Sequence, residues 1–188
     1  MGLISLIRAR TSSYYGKRAY RYVDKLLKDE RNLLIISPYI DDYYAAYLAR
    51  HASGRKRYII SSSIRGSAAK KLQKNQLSNS AAATFLAVSV NSLLFLIGGF
   101  SALIAFFTIA FGAILVAYSL AHRNRIYLKV PKEFVHVKMY VGERVAIEGS
   151  ANLTYAGMHK NIETVRLIRD QRAIDALKRQ FWTMWNSL

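Results

Sequence analysis

The sequence predicts an α/β domain, and three observations carry that expectation. An apolar run at residues 32–37, closed by Pro38, is followed by a helical segment and then by a second apolar run at residues 57–61. Strand, helix and strand in that order imply a parallel sheet. The chain has 188 residues, 52% of them apolar, which suffices for one such domain and is too short for two. Period-two alternation then returns at residues 135–141 and 145–152, as two strands joined by a tight turn at Gly142-Glu143.

Taken in order, residues 1–7 are apolar and end before Arg8 and Arg10, too short for a secretory signal and only a partial myristoylation start because Leu6 stands where Ser or Thr is wanted. An interfacial foothold or a frayed terminus follows. Residues 14–28 set Tyr15, Ala19, Tyr22, Val23, Leu26 and Leu27 at helical spacing against Lys17, Arg18, Arg21, Lys25 and Lys28, which predicts a basic amphipathic helix. Asp41-Asp42 caps the helix running to about Arg50, whose Tyr39, Tyr43, Tyr44 and Tyr47 serve as packed aromatics or as rings for stacking on bases. Ser53-Gly54 ends it.

Residues 65–74 are basic and read as helical. From residue 75 to residue 122 the chain holds no Lys, Arg, Asp or Glu, and residues 81–121 are almost wholly apolar. A single membrane crossing needs about 20 apolar residues, so this run suits a two-helix transmembrane hairpin divided at Gly98-Gly99. Its arms carry small residues four apart, Ala83 and Ala87 in one, Ala113, Ala117 and Ala121 in the other. Lys70, Lys71 and Lys74 before it and Arg123, Arg125 and Lys129 after it place both flanks on the cytoplasmic side. The first arm is slightly short, so a hairpin that dips into the bilayer without crossing stays open. The chain thus divides into residues 1–80, a hairpin at 81–121, and residues 122–188.

Beyond the insert, residues 125–130 read as a strand ended by Pro131, and residues 161–168 as another. Asp170 caps a final helix with Ile174, Leu177, Phe181, Met184 and Trp185 on one stripe. Phe181, Trp182 and Trp185 are core or subunit contacts. No internal repeat occurs.

The balance of 28 Lys+Arg against 11 Asp+Glu gives a net charge of +17, far beyond what solubility needs, and points to a polyanionic partner: nucleic acid, anionic lipid or both. No cysteine is present, which excludes disulfides and thiolate chemistry. His51, His122 and His159 are too scattered for a metal site and read as surface residues.

Alternation sends His136 and Lys138 to one face, away from Val135, Val137, Met139 and Val141, and Ser150 and Asn152 form a second polar pair two residues apart. An imidazole, an ammonium, a hydroxyl and a carboxamide with no acid among them suit an anion with several oxygens, phosphate above all. His136-x-Lys138, Glu143 and Gly149-Ser150-x-Asn152-Leu153-Thr154 resemble the HKD signature of the phospholipase D superfamily. The likeness covers roughly residues 30–188 apart from the insert, with Glu143 standing where the family usually has aspartate.

The resemblance implies a phospholipase D-like mixed sheet flanked by helices, and a metal-independent phosphodiesterase that needs no cofactor and works through a phosphohistidine. His136 would be nucleophile in one subunit and general acid in its mate, since there is no second His-x-Lys and one imidazole cannot do both. Lys138 and Asn152 would bind the phosphoryl oxygens with help from Ser150, Glu163 would orient the histidine ring, and Glu143 would be structural. A homodimer is therefore implied. A membrane-tethered nuclease leads; a hydrolase of membrane phospholipids is the alternative, and intact His136, Lys138 and Asn152 argue against a non-catalytic scaffold.

Overall fold

A computed structural model describes residues 11–64, 67, 72, 110–114 and 125–188. In chain order these form β1 (Thr11–Gly16), α1 (Tyr20–Asp29), β2 (Asn32–Ile36), β3 (Tyr39–Ile40), α2 (Asp42–Arg50), β4 (Lys56–Ile60), β5 (Ser63–Ile64), β6 (Arg125–Lys129), β7 (Met139–Val141), β8 (Ala146–Gly149), a π-helical turn (Ala156–Lys160), β9 (Glu163–Ile168) and α3 (Gln171–Ser187). The main sheet has seven strands in the order β1-β9-β8-β7-β2-β4-β6, and β3 and β5 form a small parallel pair beside it. Strands β2, β4 and β6 run parallel, and β7, β8, β9 and β1 are antiparallel to their neighbours, so the sheet is mixed.

Helices cover both faces, which is why β2 and β4 read as continuous apolar runs rather than alternating ones. Val23, Leu26 and Leu27 of α1 and Tyr44 and Leu48 of α2 pack with Leu33, Ile35, Ile59, Tyr140 and Ile147 on one side. Ile174 and Phe181 of α3 pack with Leu34, Ile36, Ile60, Met139 and Val141 on the other, joined by Trp182 and Trp185 as core contacts. Both expected caps are present: the Asp41 carboxylate accepts from Tyr44 N and the Asp170 carboxylate from Ala173 N, each satisfying a free first-turn N–H.

Three local expectations are corrected. Tyr14 and Tyr15 lie in β1, paired antiparallel with Val165 and Thr164 of β9, and the basic helix starts only at Tyr20. The His136 strand is shorter than its alternation suggests: β7 is only Met139–Val141, and before it the main chain of Val135 is held by a side chain, Ser62 Oγ accepting from its N–H at 2.7 Å and donating to its carbonyl at 3.2 Å. Arg57, expected simply to open a strand, is fully buried and donates to the carbonyls of Leu27, Arg31 and Lys56. Burial pushes its guanidinium down to about 10, with Arg55 adding repulsion.

The expected hairpin at 81–121 lies outside the described residues except for 110–114, which are helical with Phe111 and Ile114 exposed. The chain's first ten residues, His122 and most of the basic segment at 65–74 also lie outside them. Among the described residues no helix is long and apolar enough to cross a membrane.

Candidate active site

Five strand ends meet at one end of the sheet. The pairings Ile36 with Met139, Met139 with Glu148 and Gly149 with Val165 bring the carboxyl ends of β2 and β8 level with the amino ends of β7 and β9, and β4 ends beside β2. In sheets with parallel strands, ligand sites form outside the strands' carboxyl ends. Residues 135–138 cross this end, fixed by Ser62, before entering β7.

His136 is exposed there, and Lys138 is largely buried. Lys138 Nζ lies 2.7 Å from His136 Nε2 and donates also to the His136 carbonyl at 3.3 Å. An ammonium only donates, so in this contact Lys138 is the donor and Nε2 the acceptor. Burial lowers the pKa of Lys138 below the usual lysine range, opposed by the Glu163 carboxylate.

Ser150 and Glu163 form the second contact. Ser150 Oγ donates to Glu163 Oε2 and accepts from Thr164 N at 3.0 Å, while Asn161 Nδ2 donates to Glu163 Oε1 at 3.2 Å. Glycine precedes this serine for a steric reason: a Cβ at position 149 would run into the carbonyl oxygen of Thr164. Ser150 N then donates to that same oxygen at 3.1 Å. The carboxylate of Glu163 therefore accepts from Ser150 and Asn161 within this chain. Its field still reaches Lys138.

Asn152 sits on a segment pinned from three sides. Tyr140 Oη donates to the Ala151 carbonyl at 2.9 Å, Ser37 Oγ accepts from Leu153 N at 2.8 Å, and Gly157 of the π-helical turn lies so close that a Cβ would stand 2.7 Å from the Asn152 carbonyl. The side-chain oxygen of Asn152 is buried with no hydrogen-bond partner among the described residues. Glu143 lies at the far end of β7, where its carboxylate accepts from Asn32 Nδ2 at 2.9 Å and its N–H donates to Glu30 at 2.9 Å; it ties the β7–β8 turn to the start of β2.

Two aromatics stand near the site: Tyr39, one of the tyrosines expected to pack or to stack on bases, and Phe134, which the sequence pattern was not read to include. Phe134 lies 6.0 Å from the His136 ring, stacked at 26°, and Tyr39 lies 5.7 Å from Phe134. Continuing the same alternation two residues back from His136 reaches Phe134. The histidines read as scattered surface residues are also corrected where described. His159 is stacked between Tyr20 and Tyr155 at 4.4 and 4.7 Å, with Nε2 3.2 Å from Tyr44 Oη, which donates to Asp24 at 2.9 Å. His51 Nδ1 lies 2.9 Å from the Tyr47 carbonyl, its ring against that of Tyr47. Among the described residues no three His, Asp or Glu gather as metal ligands.

The sequence model of the family described as cardiolipin synthase, PLD-like domain, matches residues 104–185, a span that includes the whole His136-to-Glu163 motif. No curated protein matches the chain. The fold is similar to NucT from Helicobacter pylori, with TM-score 0.57 at 14% identity over 95% of this chain and 96% of that one. It is similar also to Nuc from Salmonella typhimurium, a phospholipase D family member, with TM-score 0.53 at 16% identity over 94% and 95%. A third likeness is to 25% of the polyphosphate kinase from Porphyromonas gingivalis, with TM-score 0.54 at 14% identity over 98% of this chain. At such identities the likeness is one of fold.

Proposed function

From the premise that the chain carries a phospholipase D-like domain, we propose that it is a phosphodiesterase whose attacking group is His136. The observation that carries this reading is the contact between Lys138 Nζ and His136 Nε2 at the strand ends. A bound phosphodiester brings oxygens that compete for the Lys138 ammonium. As Lys138 turns to them, the Nε2 lone pair is released beside the phosphorus atom. The N–P bond forms while the bond from phosphorus to the leaving oxygen breaks, and that oxygen takes a proton from a second imidazole. Water then attacks phosphorus, the second imidazole takes the water's proton, and the N–P bond breaks to return free His136.

The second imidazole is the His136 of another copy, so the active species in this reading is a homodimer. Ser150, held by Glu163, and Asn152 complete the anion pocket. Nucleic acid is the favoured substrate: the net charge of +17 suits phosphate-backbone binding, and Nuc and NucT, which share the fold, match this chain over nearly their full length. Membrane anchoring through residues 81–121, with both flanking parts on the cytoplasmic face, belongs to the proposal and rests on the charge-free run. A second reading, hydrolysis of membrane phospholipid, draws support from the matching family's description as cardiolipin synthase.

The test offers the purified protein single-stranded DNA, RNA and labelled phospholipid in parallel, with chelator present. Cleavage of a nucleic acid that survives chelation, and falls by about 10³-fold or more in His136→Ala, is expected. Undiminished cleavage by that variant would remove the nucleophile; turnover of lipid alone would select the second reading. Recovery of all the protein in the soluble fraction of its cell would remove the anchor.

A further inference from the structure

The exposed rings beside His136 are unexplained by folding. Phe134 is 57% and Tyr39 40% exposed, on segments otherwise fixed by Ser62 and by the Tyr39–Ile40 pairing with β5. Aromatic area left in water next to a charged site costs free energy unless something covers it. The two rings lie 5.7 Å apart, and Phe134 is 6.0 Å from the imidazole. Tyr39 also borders a cleft of about 460 Å³ whose lining includes Asp41, Asp42 and Thr154.

Resting on the nuclease reading, we infer that Phe134 and Tyr39 form a stacking platform for the unpaired base next to the scissile phosphate, which makes single-stranded nucleic acid the substrate class. The arrangement sorts the substrate's parts by chemistry. Lys138 and His136 take the phosphate, and the neighbouring base reaches the rings within one nucleotide's span. In the cleft beyond Tyr39 the Asp41 carboxylate is held by the N–H groups of Tyr44 and Tyr155, and that of Asp42 accepts from Ser67 Oγ, so the exposed rings are what the cleft's mouth offers a base. A base in a duplex has both faces covered and cannot stack on either ring, whereas every unpaired base offers one.

The experiment compares the wild type, Phe134→Ala and Phe134→Trp on a single-stranded oligonucleotide, on its annealed duplex and on an abasic strand of equal length, which keeps every phosphate and lacks every base. The wild type is expected to cleave the base-bearing strand about tenfold or more faster than the abasic strand or the duplex, through a lower KM. In Phe134→Ala the ratio of base-bearing to abasic rates falls toward one, and Phe134→Trp keeps it. Equal wild-type rates on the two single strands, or an unchanged ratio in Phe134→Ala, would overturn the platform and leave the nuclease standing. A Phe134→Ala protein that sediments as a smaller oligomer than the wild type would also overturn it, since the ring would then serve subunit contact. Failure of the wild type on all three polymers is the distinct result that removes the nuclease reading itself, and the platform with it.

Discussion

Lys138 Nζ lies 2.7 Å from His136 Nε2, the nitrogen that the proposed attack on phosphorus would use. In the proposed reaction an arriving phosphate competes with that nitrogen for the ammonium. Nitrogen NMR of the ring should therefore show Nε2 changing its environment when inorganic phosphate is added, and Lys138→Met should remove that change.

A pH dependence follows from the same lysine. Burial lowers its pKa, so the ammonium is lost at lower pH than an ordinary lysine at about 10.4. Above that point the site lacks its cation. The rate should fall on the alkaline side beginning below the usual lysine range, and Lys138→Met should lower it by about 10²-fold or more at neutral pH and abolish the alkaline limb.

Two glycines behind the site separate stability from activity. Gly149→Ala drives a methyl into the backbone of β9 and should lower the unfolding free energy by about 1–3 kcal/mol, read from urea titration. Gly157→Ala presses on the Asn152 backbone, so its rate should fall by a larger factor than its loss of stability explains.

Arg57 joins the C-terminal end of α1 to β4 by donating to three main-chain carbonyls from inside the core. Arg57→Met leaves those carbonyls without the donor and should cost about 3 kcal/mol. Arg57→Lys should recover little of it, because one ammonium on a different geometry does not reproduce the fork of the guanidinium.

Asp24 supplies a stability test with a defined sign. Burial raises its pKa, against the hydrogen bond from Tyr44, so the folded protein holds the carboxyl proton to higher pH than the unfolded chain. Its neutral form favours folding below the unfolded pKa of about 4, and that advantage is lost as pH rises through the folded pKa. Asp24→Asn should therefore melt higher than the wild type at pH 7, with the difference shrinking in acid.

Much of this architecture was legible because its signals are local. The apolar runs of β2 and β4, the caps at Asp41 and Asp170 and the stripe on α3 each follow from a few neighbouring residues. Edge strand β1 was not legible, since Tyr14 and Tyr15 also satisfy the helical spacing of α1 and only pairing with β9 decides between the two. The pairing of His136 with Lys138 followed from alternation, although the strand proper begins a residue later. The partners of Glu163, the burial of Arg57 and the stack around His159 depend on residues distant in sequence, which no local pattern encodes.

The sheet also dictates how the long apolar stretch is wired. Because β6 lies beside β4 and points the same way, the intervening chain departs from the margin that bears His136 and has to come home at the opposite margin. A dozen or so residues can make that journey. The parallel pairing of β4 and β6 needs no more than that, and replacing the apolar run with a plain helical connection is expected to leave the strands of the His136 margin their full set of neighbours.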